Sequence, residues 1–321
     1  MKYKVLCTAP FKRFPEVVDL FYEIFDGEII EYLPHSELVN KVYNFDGLIP
    51  NARIKIDKEV INSGSSLSAI YQPSMGYEHI DTNYLEEKKI QFNALGLDST
   101  FKATLWSTAE HTISLILSLL KNHVESVTDV KTKGLWDNRS YSIEDLNNIK
   151  VGVIGLGNIG KKVSYICNAF GAEIVAYDPY VKKTEFPSYV KKQSLNQVLS
   201  DSDLITLHVP SNNETINLID RKELEKMKPG SYIVNTSRGG IVNEKALIKY
   251  VTKNKFRGIA LDVLEGESPF GVKESEMVKF SKTNKNIVIT PHLGGSSYPY
   301  MNSIFKHSIK EIKRMLDKKF I

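Results

Sequence analysis

The sequence predicts an α/β protein built as two units, each a parallel sheet covered by helices. Three observations carry that expectation. A chain of 321 residues at roughly 150 per domain suggests two domains, with ample chain to bury a core. The first hundred residues alternate brief apolar runs with amphipathic stretches. A second series with the same alternation starts at Lys150. Strands that alternate with helices are the mark of a parallel sheet whose connections cross over its faces.

In the first series the strand candidates are Tyr3 to Cys7, Asp46 to Ile49, Leu67 to Tyr71 and Ile90 to Asn93, with helical stretches at Phe14 to Phe25 and Asp57 to Ser63. In the second they are Lys150 to Ile154, Glu173 to Tyr177, Leu204 to Val209, Tyr232 to Asn235, Gly258 to Leu261 and Ile287 to Ile289. Helices are expected there over Gly160 to Phe170, Asp220 to Lys226 and Glu244 to Val251. Between the series, Thr108 to Asn122 is apolar around most of its circumference and reads as a buried helix. His123 to Asn148 is polar and weakly periodic, an arm suited to wrapping a neighbouring subunit. A last helix over Pro299 to Leu316 carries Met301, Ile304, Phe305, Ile309, Ile312 and Met315 at helical spacing.

Composition excludes several classes. The chain is 42% hydrophobic and 25% charged, unlike a disordered or low-complexity protein. No apolar run approaches the roughly 18 residues of a membrane span, and the first ten residues lack a secretory pattern, so a soluble, cytoplasmic protein without a membrane partner is expected. Two cysteines in dissimilar contexts, Cys7 and Cys167, argue against a disulfide scaffold and a cysteine-built metal site. A net charge of +4 gives no case for nucleic acid. No metal site is expected.

The strongest local signal is Val151-Gly-Val-Ile-Gly155-Leu-Gly157-Asn158-Ile159-Gly160, between an expected strand and an expected helix. Gly155 permits a tight turn, Gly157 lets a pyrophosphate approach the backbone, and Gly160 lets the helix pack on the strand. The helix start then offers unpaired N–H groups to phosphate. The spacing also marks unrelated strand-to-helix turns. Context favours the dinucleotide reading, because Asp178 ends the next strand 18 residues beyond Gly160, where an acid can accept from ribose hydroxyls. A carboxylate there repels a 2′-phosphate, which favours NAD over NADP; Lys182 and Lys183 are the counterweight.

Three polar groups follow later strands: Asn235-Thr236-Ser237-Arg238-Gly-Gly, Asp262-Val-Leu-Glu-Gly-Glu267 and Thr290-Pro-His292-Leu-Gly294-Gly. Ligands of open α/β sheets bind beyond the carboxyl ends of strands. Arg238 can grip a carboxylate in a bidentate pair, His292 can exchange a proton near neutrality, and Glu267 can orient it. Each alone has an ordinary reading, as a surface arginine, a hydrogen-bonded histidine or a solvated acidic loop. Their joint placement after sheet strands points to catalysis.

In this order, Gly-x-Gly-x-x-Gly, Asn-Thr-Ser-Arg-Gly-Gly, Asp-Val-Leu-x-x-Glu and Pro-His-Leu-Gly-Gly, the motifs resemble the D-isomer-specific 2-hydroxyacid dehydrogenases, over nearly the whole chain. The resemblance implies two doubly wound parallel-sheet domains, a Rossmann-type NAD domain over 102–292 inserted into a flavodoxin-like substrate domain of 1–101 plus 293–321. It implies that Arg238 binds the substrate carboxylate and carbonyl, that His292 is the acid/base and that Glu267 tunes it, in hydride transfer between NAD and a small 2-hydroxy acid or 2-oxo acid. Asn158 and Ile159 would meet the pyrophosphate, Asp178 the ribose, and His208, Val209, Pro210 and Thr215 the adenine side. Thr236, Ser237, Arg238 and Asp262 would line the nicotinamide half, with His292 and Gly294 closing it. Trp106 to Asn122 and the following arm would build a homodimer.

The substrate loop, Pro73-Ser74-Met75-Gly76-Tyr-Glu-His79-Ile-Asp81, departs from the family's usual Gly-x-Gly-x-Asp, with Ser74 for the first glycine and Glu78 for the acid. Backbone amides at Met75 and Gly76 would still hold a carboxylate. Where phosphoglycerate dehydrogenases carry a phosphate-binding arginine, Asn51 aligns, with Arg53 two residues on, and Thr104 replaces an asparagine of the hinge. At this length no separate C-terminal regulatory domain is expected. Two other readings stay open: D-3-phosphoglycerate dehydrogenase, and an NADH-sensing scaffold like the C-terminal-binding-protein corepressors, which keep the site residues. His111, beside Glu110 at the head of the buried helix, reads as structural.

Overall fold

The computed structural model describes residues 2–267, 271–272 and 274–318. In chain order the elements of the first unit are β1 (Val5–Cys7), α1 (Pro15–Ile24), β2 (Glu28–Ile29), α2 (His35–Lys41), β3 (Gly47–Ile49), α3 (Lys58–Ser63), β4 (Ala69–Gln72), α4 (Thr82–Glu87), β5 (Gln91–Ala94) and α5 (Ser99–Ala103). The second unit holds α6 (Ser107–Leu120), α7 (His123–Lys133), β6 (Lys150–Ile154), α8 (Asn158–Ala169), β7 (Glu173–Tyr177), β8 (Val190–Lys192), α9 (Leu195–Asp201) and β9 (Leu204–Leu207). It continues with α10 (Arg221–Lys226), β10 (Ser231–Asn235), α11 (Glu244–Val251), β11 (Phe256–Leu261), α12 (Glu276–Ser281) and β12 (Ile287–Ile289). The chain then returns to the first unit with α13 (Tyr298–Asp317).

Chain crossings between the units fall after Leu105 and after Ser296, rather than after residues 101 and 292. Residues 293–296 stay with the second unit because the amides of Leu293 and Gly294 both donate to Asp262. Met1 and residues 319–321, which the sequence assigns to the substrate domain, lie outside the described residues.

The first unit is a five-stranded sheet of order β2-β1-β3-β4-β5, parallel throughout. The second is a seven-stranded sheet of order β12-β11-β10-β9-β6-β7-β8, again parallel at every pairing. Both orders reverse direction once, as doubly wound sheets do. In the second sheet the reversal lies between β6 and β9, which pair directly. Ligands of such sheets bind outside the carboxyl ends at that reversal, so the loops after β6 and β9 are the ones to inspect.

Burial explains why these runs are strands. Val151, Val153 and Ile154 of β6 are fully buried, as are Leu204 and Leu207 of β9, as expected of parallel strands covered on both faces. Helices α6 and α8 pack on one face of this sheet, α6 meeting β10, β11 and α8. Short edge strands β2 and β8 are missing from the sequence reading. Two residues in one case and Val-Lys-Lys in the other give no apolar run to detect, and charged edges of this kind resist unwanted pairing. Cys7 and Cys167 are free and buried in separate cores.

The weakly periodic arm after α6 is helical in its first part, where residues 123–133 form α7. Asn122 takes a left-handed conformation (φ 48°) that ends α6 and lets a new helix start at once. Its apolar stripe of Val124, Val127 and Val130 faces outward, 36–48% exposed, and three valines among polar residues leave a weak periodic signal.

Candidate active site

The loop after β6 shows why each glycine is needed. Gly155 has φ 91°, a left-handed conformation, and a Cβ there would lie 2.5 Å from the His208 carbonyl oxygen. A Cβ on Gly160 would lie 2.0 Å from the Gly155 carbonyl oxygen, so α8 can seat against β6 only without a side chain. At Gly157 nothing lies within 4 Å of an added Cβ. Gly157 is also the residue preceding α8 and has no side chain of its own to cap the helix. Open space in front of a helix start suits a phosphate, and Asn158 and Ile159 are the first two residues of that helix.

Asp178 follows β7 and faces the same loop. Its Oδ2 accepts from the Leu156 amide at 2.8 Å, and its Oδ1 from the amides of Tyr180 and Val181 at 2.9 and 3.1 Å. Thus the carboxylate is held in place beside the glycine turn, and Oδ2 keeps acceptor capacity. Across the reversal, β9 runs into His208, Val209 and Pro210. The His208 amide donates to Ile154 at 2.8 Å, and its ring meets Thr206 Oγ1 at 2.9 Å. Burial pushes the His208 imidazole down to about 3, so it is neutral. Thr215 Oγ1 donates to the Pro210 carbonyl at 2.6 Å and folds this loop back on itself.

The loops after β10, β11 and β12 meet. Asn235 ends β10 with its amide nitrogen 2.9 Å from the Arg238 carbonyl, and its Oδ1 receives both the amide and the hydroxyl of Ser237. Thr236 Oγ1 lies 2.8 Å from Thr112 Oγ1 of α6. Arg238 donates from Nη1 to the Ser237 carbonyl at 2.8 Å. A Cβ on Gly239 would lie 2.0 Å from the Leu264 carbonyl carbon, so the β10 and β11 loops touch backbone to backbone.

His292 and Glu267 are brought together, His292 Nδ1 lying 2.6 Å from Glu267 Oε1. His292 is also one of the few non-glycine residues with positive φ, at 56°, a conformation uncommon enough to mark a constrained position. Burial raises the Glu267 pKa, but the His292 hydrogen bond and charge, the Leu264 amide and the Arg238 charge outweigh it and hold the carboxyl below its ordinary value. Glu267 is therefore ionised at neutral pH. Arg238 is close enough to contribute to that field.

Asp262, 2% exposed, organises the ends of β11 and β12. Its Oδ1 accepts from Thr290 Oγ1 at 2.6 Å and the Leu293 amide at 2.8 Å, and its Oδ2 from the Gly294 amide at 2.8 Å. His111 Nε2 adds a contact of 3.1 Å from α6. Burial alone would raise this carboxyl; the hydrogen bonds from His111, Thr290, Leu293 and Gly294 hold it below its ordinary value. Asn235, Thr112 and Thr290 are members of this network to which the sequence assigned no role. Thr290 stands 28 residues from Asp262 and His111 stands 151, so no local spacing announces them.

In the first unit, Asn51 is buried, its amide nitrogen 3.4 Å from the Thr8 carbonyl and its Oδ1 accepting from the Arg53 amide at 2.9 Å. Ser74 Oγ lies 2.7 Å from the Gly76 carbonyl. Among the described residues, the amides of Met75 and Gly76 donate to no protein acceptor. His35, Asp57 and Glu59 are the one group of potential metal ligands among the described residues. Asp57 Oδ1 there already caps α3 through the amides of Glu59 and Val60, and its Oδ2 lies 4.0 Å from the Lys55 ammonium.

Comparison with known proteins agrees with this architecture. Residues 113–294 match the family model described as D-isomer specific 2-hydroxyacid dehydrogenase, NAD binding domain. A D-3-phosphoglycerate dehydrogenase of Archaeoglobus fulgidus is 33% identical over 92% of this chain, but the match covers 54% of the relative. The chain thus spans about half the length of that relative, and the same holds for a Methanocaldococcus jannaschii protein of that name, at 57%. A hydroxypyruvate reductase of Thermotoga maritima is 33% identical over 92% of both chains. Among solved structures, a D-lactate dehydrogenase from Aquifex aeolicus, complexed with NAD and lactic acid, superposes with a TM-score of 0.86 at 25% identity, covering 99% of this chain and 96% of that one. With the parallel sheets, the glycine turn and the joined strand-end loops in place, this chain belongs to the D-isomer-specific 2-hydroxyacid dehydrogenase family.

Proposed function

We propose that this protein is an NAD-dependent dehydrogenase of small D-2-hydroxy acids, working between a 2-hydroxy acid and its 2-oxo acid. The observation that carries the proposal is the 2.6 Å pair of His292 and Glu267, with the Arg238 charge acting on Glu267, in a domain whose glycine turn leaves space only where a phosphate would approach. Gly155, Gly157, Asn158, Ile159 and Gly160 would hold the pyrophosphate and Asp178 the adenine ribose. His208, Val209, Pro210 and Thr215 would border the adenine. Thr236, Ser237, Asp262 and Gly294 would frame the nicotinamide half. NAD, when bound, supplies the hydride donor or acceptor.

The remaining chemistry belongs to the chain. Arg238 pairs with the substrate carboxylate and polarises the carbonyl. Glu267 accepts a hydrogen bond from His292 Nδ1–H, which leaves Nε2 to face the substrate. In reduction, Nε2 gives its proton to the carbonyl oxygen as C2 receives hydride; in oxidation, Nε2 takes the hydroxyl proton. The carboxylate at Asp178 disfavours a 2′-phosphate and supports NAD over NADP.

The substrate proposed is unphosphorylated. D-3-phosphoglycerate dehydrogenase is the second reading, favoured by the names of relatives covered over about half their length. Against it, Asn51 occupies the position aligned with the phosphate-binding arginine, and its amide is spent on Thr8 and Arg53. The experiment is oxidation of NADH, with NADPH in parallel, against glyoxylate, pyruvate, hydroxypyruvate, bulkier 2-oxo acids and 3-phosphohydroxypyruvate. Turnover of an unphosphorylated acid with NADH is expected. Preference for the phosphorylated one would overturn the substrate assignment, and NADH binding without any turnover would favour a scaffold.

A homodimer completes the proposal. Val124, Val127 and Val130 on α7, with Trp136 at 90% and Ile143 at 62% exposure, form an apolar set that a second copy would cover. A cytoplasmic location is supported by two free buried cysteines and by the absence, among the described residues, of any helix long and apolar enough to cross a membrane.

A further inference from the structure

The loop after β4 contains a run of hydrogen bonds that the reaction, as set out so far, does not use. Gln72, the last residue of β4, is fully buried. Its Nε2 lies 2.7 Å from Ser74 Oγ, and its Oε1 lies 3.3 Å from His79 Nε2. Ser74 Oγ in turn lies 2.7 Å from the Gly76 carbonyl oxygen. Only one assignment of donors satisfies all three contacts. The Gly76 carbonyl can only accept, so the Ser74 hydroxyl donates to it. Ser74 must then accept from the Gln72 NH2, which turns Gln72 Oε1 toward His79, and His79 donates from Nε2–H. Burial lowers the His79 pKa, in keeping with a neutral ring of this tautomer.

A second constraint acts on the same loop. A Cβ on Gly96 would lie 2.3 Å from the Met75 carbonyl oxygen, so the backbone following β5 presses against Met75. Fixed at both carbonyls, the turn leaves the Met75 and Gly76 amides without a protein acceptor among the described residues. Adjacent free amides in a turn make an anion-binding concavity.

We propose that Gln72, Ser74 and His79 are positioning residues, a one-directional relay that fixes the Met75 and Gly76 amides for the carboxylate of the 2-oxo acid. This rests on the dehydrogenase reading above, and it gives a use to Ser74, the residue that replaces the family's first glycine. The relay acts on substrate capture and not on hydride or proton transfer. Its loss therefore raises KM and leaves kcat and NADH affinity alone.

The test compares Ser74→Ala and His79→Leu, which break the relay, with Ser74→Thr and His79→Gln, which keep a hydroxyl or an N–H donor. Two readouts are taken on each: steady-state kinetics with the best 2-oxo acid, and calorimetric binding of oxamate, an unreactive analogue, to the NADH-loaded protein. Thermal unfolding is recorded alongside. Breaking variants are expected to raise both KM and the oxamate Kd about tenfold, with kcat within about twofold, and the conservative pair to return within about threefold of wild type. Unchanged KM and oxamate Kd in the breaking variants, whatever their melting temperature, would overturn the relay and leave the dehydrogenase reading standing. Wild-type protein that binds oxamate through Ser74 and His79 but reduces no 2-oxo acid would overturn the dehydrogenase reading and keep the relay. Wild-type protein that neither binds oxamate nor turns over would overturn both.

Discussion

Two glycines three residues apart are expected to respond oppositely to one added methyl. In Gly160→Ala the new Cβ would stand 2.0 Å from the Gly155 carbonyl oxygen, where real Cβ atoms keep at least 3.0 Å. Neither side can yield cheaply. Gly155 is itself held in a left-handed turn against His208, and α8 is anchored by the fully buried Val163 and Cys167. Helix α8 must then withdraw from β6 by about 1 Å, and overpacking of this kind costs about 1–3 kcal/mol. In Gly157→Ala the backbone (φ −77°, ψ −155°) lies in extended territory, and the methyl meets nothing. Stability is expected to hold or rise by about 0.4–1 kcal/mol, since alanine narrows the unfolded ensemble. The same methyl fills the space reserved for the pyrophosphate, so NADH affinity should fall at least about tenfold, roughly 1.4 kcal/mol. Urea unfolding and calorimetric NADH titration of both variants read the two axes separately. A Gly160→Ala protein with the wild-type urea midpoint, or a Gly157→Ala protein with wild-type NADH affinity, would refute the account of this turn.

Three further expectations follow from the strand-end loops and the arm. His292→Asn should cut turnover by at least about 100-fold while NADH Kd stays within about twofold; retained turnover would remove His292 from the acid/base role. Asp262→Asn leaves the Leu293 or Gly294 amide facing an NH2 group and should cost about 1–3 kcal/mol. A carboxyl whose pKa is lower folded than unfolded stabilises the fold above its unfolded pKa, and that contribution is lost as pH falls through the folded value. The Asp262 shift is downward, so the variant should lose stability at neutral pH and show a shallower acid-side decline, read by urea unfolding across pH. Val127→Asp, placed in the exposed stripe of α7, should convert a dimer to monomer in light scattering, and a dimer indifferent to it would put the interface elsewhere.

How much of this was legible in the sequence depended on the range of the cause. The glycine turn, Asp178 and the pair Glu267 and His292 lie in short motifs at strand ends, where local backbone demands and function coincide. Strands β2 and β8 escaped because an edge strand needs no apolar run. Helix α7 escaped because its stripe faces outward and its start depends on one left-handed asparagine. Sequence singled out Asn51 and Ser74 as departures from the family's pattern, but could not say that Asn51 spends its amide on Thr8 and Arg53. Nor could it say that Ser74 stands in a chain from His79 to Gly76, because that chain depends on Gln72, a buried strand residue with no motif around it.

Asp262 gives the reason why the candidate site needs more residues than those that would touch substrate. The three loops that carry Arg238, Glu267 and His292 are each short and polar, and none has a core of its own. Asp262 joins the β11 end to two amides and a hydroxyl of the β12 segment, and to His111 on α6. Helix α6 reaches the β10 loop in turn through Thr112 and Thr236. His292 stands between Thr290 and Leu293, both held by Asp262, and its positive φ is sustained by anchors on either side. The geometry of the His292–Glu267 pair is thus set by a buried carboxylate. Loss of Asp262 should then weaken catalysis through His292 placement while leaving the chemical groups intact. A normal kcat in Asp262→Asn at a temperature where the fold persists would show that the β12 loop holds His292 without it.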